Sequence, residues 1–177
     1  DPRAGEVAEM QRELDLDARQ RQFVTLARGR GDGGDLLLSE RLYLEALQTA
    51  ELQPGRAAQQ IEQLLAMYPD PAATIPGAPL DPDRAARLIE CLELARRGLP
   101  ELKTRAARQQ TLDLAELERR LAVARERYAS DPQEAMAICE AIVEGFTDRG
   151  WAAGVVDASR AQLDTWRNAL SADAAED

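Results

Sequence analysis

The sequence contains no histidine, a single lysine (Lys103), a single asparagine (Asn168), two cysteines and 4% aromatic residues over 177 positions. Without histidine the chain lacks the commonest general base, the commonest metal ligand and the usual pH switch, so histidine triads and histidine zinc sites are excluded. Positive charge is also scarce: 22 basic residues stand against 32 acidic ones, a net charge of −10. Binding to a nucleic-acid backbone draws on counterion release at a basic surface, so no nucleic-acid partner is expected. Direct binding to an anionic membrane is disfavoured for the same reason. No apolar run approaches the ~18 residues of a membrane span; the longest clear one is Leu36-Leu37-Leu38. Val, Ile and Thr are sparse and no segment alternates for long, so strands lack both their residues and their period. Cys91 and Cys139 lie in apolar helical patterns, where cysteine acts as a small hydrophobe rather than as a disulfide or redox partner.

What is abundant is alanine and arginine, 32 and 21 residues. Together with the near absence of Lys and Asn, this usage points to GC-rich codons and a high-GC, bacterial genome. The first residue is Asp1. The sequence leaves the location open between the bacterial cytoplasm and, if an upstream signal has been removed, the space outside it.

The chain reads as all-α with about seven helices. The first covers 1–28, with Val7, Met10, Leu14, Phe23 and Leu26 as its apolar residues and a phase slip midway. A glycine-rich loop, 29–35, follows. The next helices are expected at about 36–52 and 55–68, the second striped by Ala57, Ile61, Leu64, Leu65 and Tyr68. A proline-rich insertion covers 69–82. A helix over 83–98, carrying Leu88, Ile89 and Leu92, should end at Gly98 with Pro100 as a stop. Over 101–130 the stripe of Leu102 and Ala106 falls out of phase with Leu114, Leu117, Leu121 and Tyr128. That slip predicts a kink or break near 110–113, with Asp113 as a new cap. Asp81-Pro82 and Asp131-Pro132 carry an N-cap and a first-position proline. The last two helices are expected at about 132–147 and 150–170, and 171–177 as a flexible acidic tail.

An internal match supports a repeat. Residues 46–70 align without a gap on 124–148: Ala46 with Ala124, Pro54 with Pro132, Ala57 with Ala135, Glu62 with Glu140 and Tyr68 with Phe146. Skipping the insertion, Ala85-Ala86 fall on Ala152-Ala153 and Leu88-Ile89 on Val155-Val156. Each unit is a helix, a proline-marked turn and a second helix that starts with a small residue. One such hairpin cannot bury its apolar face alone, so neighbours stack. The pattern, Ala57 through Tyr68-Pro69-Asp70 and Met136-Ala137-Ile138 through Phe146, resembles the tetratricopeptide (TPR) family over roughly 39–170, within an expected helical domain of 36–170. It departs from that family in its wide spacing and in Thr147, which stands where a terminal proline is expected. The alternative architecture is an irregular helical bundle.

The resemblance implies stacked antiparallel helical hairpins and a groove lined by their first helices. Carried onto this chain, that groove holds Tyr43, Ala46 and Thr49 in one unit and Arg120, Ala124, Arg127 and Tyr128 in the other. An aromatic ring beside two guanidinium forks suits a carboxylate-bearing peptide. In the plainer reading, Arg120 and Arg127 are solvated charges paired with Glu116 and Asp131. Trp151, after a turn, is a further candidate anchor. Arg30-Gly31-Asp32 reads as linker, and the same loop lacks the Lys-Ser/Thr of a phosphate cradle.

No catalytic, cofactor or metal constellation stands out. The expected function is a non-enzymatic protein–protein interaction scaffold binding a peptide or helix of a partner. The alternatives are a structural or assembly domain of a larger extracytoplasmic bacterial protein and, further off, an enzyme relying on carboxylates. A homodimer through the heptad-like run Leu114–Tyr128 is a further arrangement the pattern allows.

Overall fold

In the computed structural model, residues 2–29, 34–69 and 81–176 are described; the Arg30-Gly31-Asp32 tripeptide and most of the proline-rich insertion lie outside them. Among these residues there are six α-helices, one short 3₁₀ turn and no strand. They are α1 (Pro2–Ala27), α2 (Leu38–Ala50), α3 (Pro54–Met67), α4 (Pro82–Arg127), α5 (Pro132–Phe146) and α6 (Ala153–Glu176), with the 3₁₀ turn at Gly150–Ala152. The all-α reading holds, with one helix fewer than expected. None of the helices is long and apolar enough to cross a membrane.

The missing boundary lies inside α4. Gly98 and Pro100 do not stop it, and Asp113 is not a cap: its carboxylate accepts from Gln109 Nε2 one turn earlier, at 2.8 Å. Proline in a helix removes one backbone bond and crowds the carbonyl four residues back, at ~3 kcal/mol in an isolated helix. Here that carbonyl belongs to Arg96. Both Pro100 and Arg96 are exposed, so water can reach the freed group. Buried residues on either side, Leu92, Leu94 and Ala95 before and Leu102 and Ala106 after, hold the helix in line.

The phase slip has a different cause from a break. Leu102 packs into a core shared with α1, α2 and α3, whereas Leu117, Leu121 and Ala124 pack into one with α5 and α6. α4 contributes residues to both cores. The chain divides into two compact units, Asp1–Ala107 and Arg108–Asp177.

In the first unit α2 and α3 form an antiparallel hairpin, with Gln60 Nε2 donating to Glu45 at 3.2 Å. The first part of α4 runs parallel to α2: Arg87 bonds Glu40 near their starts and Arg105 Nη2 donates to the Ala50 carbonyl near their ends, at 3.0 Å. In the second unit the end of α4, α5 and α6 pack on one core. Arg125 meets Gln162 at 3.0 Å and Tyr128 stacks on Trp166, so the end of α4 and α6 run parallel, while α5 returns between them. Asp131 caps α5 as expected, its carboxylate accepting from the Glu134 amide at 2.9 Å.

The positions that the sequence pairs between 46–70 and 124–148 include several buried ones. Ala46 and Ala124, Ala57 and Ala135, Ile61 and Cys139, and Leu64 and Ile142 are all buried. The third-helix pairing needs correction. Ile89 is exposed whereas Val156, its expected counterpart, is buried. Sliding by three residues pairs Leu88 with Ala152, Cys91 with Val155, Leu92 with Val156, Ala95 with Ser159 and Leu102 with Trp166, all buried. Residues three apart share a helix face, so sequence alone could not separate the two registers. An ion pair separates them: Glu62 meets Lys103 at 2.5 Å, and their counterparts Glu140 and Arg167 meet at 2.7 Å.

Two further expectations change. Val7, Met10 and Leu14 are 66%, 63% and 55% exposed; of the expected apolar residues Phe23 is buried, and Leu16 is buried with it on the side opposite those three. The helix expected to end near 170 continues to Glu176.

Candidate functional site: a helix seat on α2 and α4

Among the described residues of the first unit one carboxylate is fully buried, Glu40, on the first turn of α2. Its neighbours explain how a charge survives there. Arg19 Nη2 of α1 donates to Oε1 at 2.5 Å, Arg87 of α4 donates to both oxygens, and the Leu37 amide donates to Oε2 at 2.8 Å. Burial pushes the Glu40 carboxyl up, but the bonds from Arg87, Leu37 and Arg19 outweigh it and hold the group below its ordinary value. The same bond raises the Arg87 guanidinium. The Leu37 bond also caps α2 from within its first turn. Three helices are thereby fixed to one side chain.

Further along, Tyr43 donates to Gln20 Oε1 at 2.6 Å, and the Phe23 ring meets its ring edge-on, 5.2 Å between centroids. Burial drives the Tyr43 hydroxyl up to about 12. Cys91, on α4 beside Ser39, is pushed to about 12 by burial and by the charge of Glu40. Neither group titrates near neutrality.

These contacts describe a seat. α1 lies along the face that α2 and α4 present away from α3, parallel to α2: Arg19 meets Glu40, Gln20 and Phe23 meet Tyr43, and Val24 and Ala27 border Leu47 and Ala50. At its other end Arg12 pairs with Glu93 of α4 at 2.6 Å and Glu13 lies 3.8 Å from Arg97. The fit is incomplete. Clefts of about 490, 280 and 160 Å³ border α1, lined in turn by Ala8, Leu16 and Ile89, by Val24, Leu47 and Arg105, and by Gln20, Tyr43 and Gly98. α1 is thus held by two buried apolar side chains and a row of polar contacts.

The sequence-expected groove residues are distributed as follows. Tyr43 is on the groove-facing side of α2 but is covered by α1. Thr49 is half-buried and spends its hydroxyl on the Glu45 carbonyl, at 2.9 Å. Arg120 is exposed and pairs with Glu116 one turn earlier, at 2.8 Å. Arg127 pairs with Glu134 rather than Asp131. Tyr128, half-buried, is stacked on Trp166, 4.4 Å between centroids and 5° from parallel, against the second core. Trp151 packs edge-on against Phe146 at 5.9 Å. The residues the sequence missed are Glu40, Arg19, Arg87 and Gln20. Polar residues on an otherwise apolar face, Ser39-Glu40 beside Tyr43, were the signal available.

A second opening lies in the second unit, a cleft of about 300 Å³ between α5 and α6 lined by Val143, Leu163 and the Glu140–Arg167 pair. Comparison with protein-family models, curated proteins and solved structures finds no match to this chain.

Proposed function

We propose that this chain is a non-enzymatic helical scaffold, TPR-like in plan, that binds a helix of a partner protein on the face of α2 and α4. The observation that carries the reading is the seating of α1. A helix already lies along that face, anchored by Arg19 on Glu40 and by Phe23 and Gln20 on Tyr43. A partner helix with the same stripe finds the same contacts. Helix-in-groove recognition of this kind uses anchors at i, i+3, i+4 and i+7, as Leu16, Arg19, Gln20 and Phe23 are spaced. The parallel first helices of each unit, α2 with α4 and α4 with α6, are what stacked hairpins require and an up-down bundle does not. Catalysis finds less support. The buried carboxylate is committed to two guanidinium groups and an amide, which leaves it no capacity as a base.

The test uses the full chain. A tethered helix competes at an effective concentration of roughly millimolar, so the cis helix must first be loosened. With Arg19→Ala and Phe23→Ala together, a labelled peptide of residues 5–28 should bind saturably by fluorescence anisotropy. Adding Tyr43→Ala should weaken it. A loosened chain that keeps its helical circular dichroism yet binds no peptide would refute the reading.

A further inference from the structure

α1 carries apolar side chains on two faces. One face turns Leu16 and Phe23 onto the seat; the other holds Val7, Met10 and Leu14, each more than half exposed. Their spacing of three and then four residues sets them in one row along the helix. Among the described residues no other helix exposes such a row; elsewhere large exposed apolar side chains stand singly. Single exposed apolar residues are ordinary, whereas a contiguous set marks a contact surface. The two borders of the row differ in charge. Glu6, Glu9 and Glu13 run along one side, and Asp17 and Arg21 continue the row itself. Along the other side are Gln11, Ala18 and Gln22, all neutral. All of these residues are exposed. Among the described residues only Glu13 of the four acids meets a base, Arg97 at 3.8 Å.

These charges decide what can cover the row. A helix that lies on an anionic bilayer carries Lys and Arg beside its apolar face, and this one carries acids. A second copy of α1 is disfavoured in either direction. Antiparallel, like borders meet, so Glu6 and Glu13 face the same acids of the copy. Parallel and in register, each residue of the row meets itself, which sets Asp17 against Asp17 and Arg21 against Arg21. Like charges brought together in an interface oppose binding. We infer that the outer face of α1 is a docking surface for a basic amphipathic helix of a partner protein. The partner lays an apolar stripe on Val7, Met10 and Leu14 and sets Lys or Arg at heptad spacing against Glu6 and Glu13, which are themselves seven residues apart. Asp17 receives a further base. The surface lies opposite the seat contacts of Arg19, Gln20 and Phe23, so it is used with α1 in place, and the inference goes beyond the helix-seat reading. Three apolar side chains make a small interface, and its charges lie at the surface, so binding is weak and weakens further with salt.

The probe is a labelled synthetic helix of three heptads with Leu at a and d, Lys at e and g and Gln elsewhere, beside a matched peptide with Glu in place of Lys. Each is titrated into the full chain at low salt and followed by fluorescence anisotropy. The lysine peptide should bind saturably and the glutamate peptide should not. Combining Met10→Gln with Leu14→Gln should weaken the lysine peptide about tenfold. Combining Glu6→Lys with Glu13→Lys should reverse the preference between the two peptides. All four positions are exposed, so the thermal midpoint should be unchanged in both variants. Binding of the lysine peptide that ignores Met10→Gln and Leu14→Gln would be plain attraction to an acidic chain and would overturn the inference. A preference that survives the charge reversal, or no binding of the lysine peptide, would overturn it as well. So would a wild-type dimer in sedimentation that Leu14→Gln dissolves, because a second copy would then cover the row.

Discussion

Replacing Glu40 by alanine should cost about 2–3 kcal/mol of stability at neutral pH. Removing one member of a buried ion pair costs ~3–5 kcal/mol when the remaining charge is stranded away from water. Here the stranded charges are on Arg19 and Arg87, whose side chains are 22% and 30% exposed and can turn towards solvent. The loss therefore falls towards the lower end. It includes the capping bond to the Leu37 amide, worth about 1 kcal/mol in typical helices. Glu40→Gln keeps an acceptor for that amide and one for an arginine, so it should cost less, about 1–2 kcal/mol. The pH dependence has a definite sign. The Glu40 carboxyl is held below its ordinary value of 4.5 in the folded chain. Its contribution is therefore complete above that value and is lost as the pH falls through the folded-state value. Guanidinium unfolding followed by circular dichroism at pH 7 and through the acid range reads both effects. Wild type should lose stability on acidification more steeply than Glu40→Gln. A loss of under ~0.5 kcal/mol for Glu40→Ala at pH 7 would refute the reasoning, because it would mean that the carboxylate is hydrated rather than buried.

Other substitutions test other parts of the account. Pro100→Ala should stabilise the chain by roughly 1–3 kcal/mol, since it restores a helical bond and removes a clash at an exposed position; a thermal midpoint that falls would show that the helix needs its bend. Ala57→Leu and Ala135→Leu, at corresponding and fully buried positions, should each destabilise by about 1–3 kcal/mol through overpacking. A neutral result at one and a severe one at the other would argue against a shared plan. Cys91 and Cys139, buried with their thiols pushed up, should react with a thiol reagent only as fast as the chain opens. Rapid labelling in native buffer would contradict their burial. Tyr128→Ala, which removes a ring stacked on Trp166, should shift the tryptophan emission and cost about 3 kcal/mol.

The sequence made the helices legible because capping residues and 3.6-residue periodicity are local. Pro54, Pro82 and Pro132 begin α3, α4 and α5, as the sequence signals indicated for the last two. It misled at Gly98, Pro100 and Asp113, where packing on both sides overrides local stop signals. It also misled along α1, whose exposed Val7, Met10 and Leu14 imitate a core stripe. The phase slip after Ala106 was read correctly as an event but not as a change of core, which depends on partners distant in sequence. Of the candidate site, Tyr43 was legible as an inward-facing residue of a first helix. The occupant over it was not, because the parallel lie of α1 on α2 is a tertiary fact. Glu40 was not legible as buried because, like Glu45 on the same helix, an acid in a leucine-rich helix reads as a solvated charge.

The central claim is that the face of α2 and α4 is a preformed seat and α1 a separable cover. Native-state hydrogen exchange on the unmodified chain tests this most directly. α1 buries only Leu16 and Phe23 among its described side chains, whereas α3 buries Ala57, Ala58, Ile61 and Leu64. The account predicts that amides of residues 16–27 exchange through a local opening at markedly lower free energy than those of α3, with α2, α3 and the first part of α4 still protected. Equal opening free energies for α1 and α3 would contradict it, because α1 would then be an inseparable part of one cooperative core.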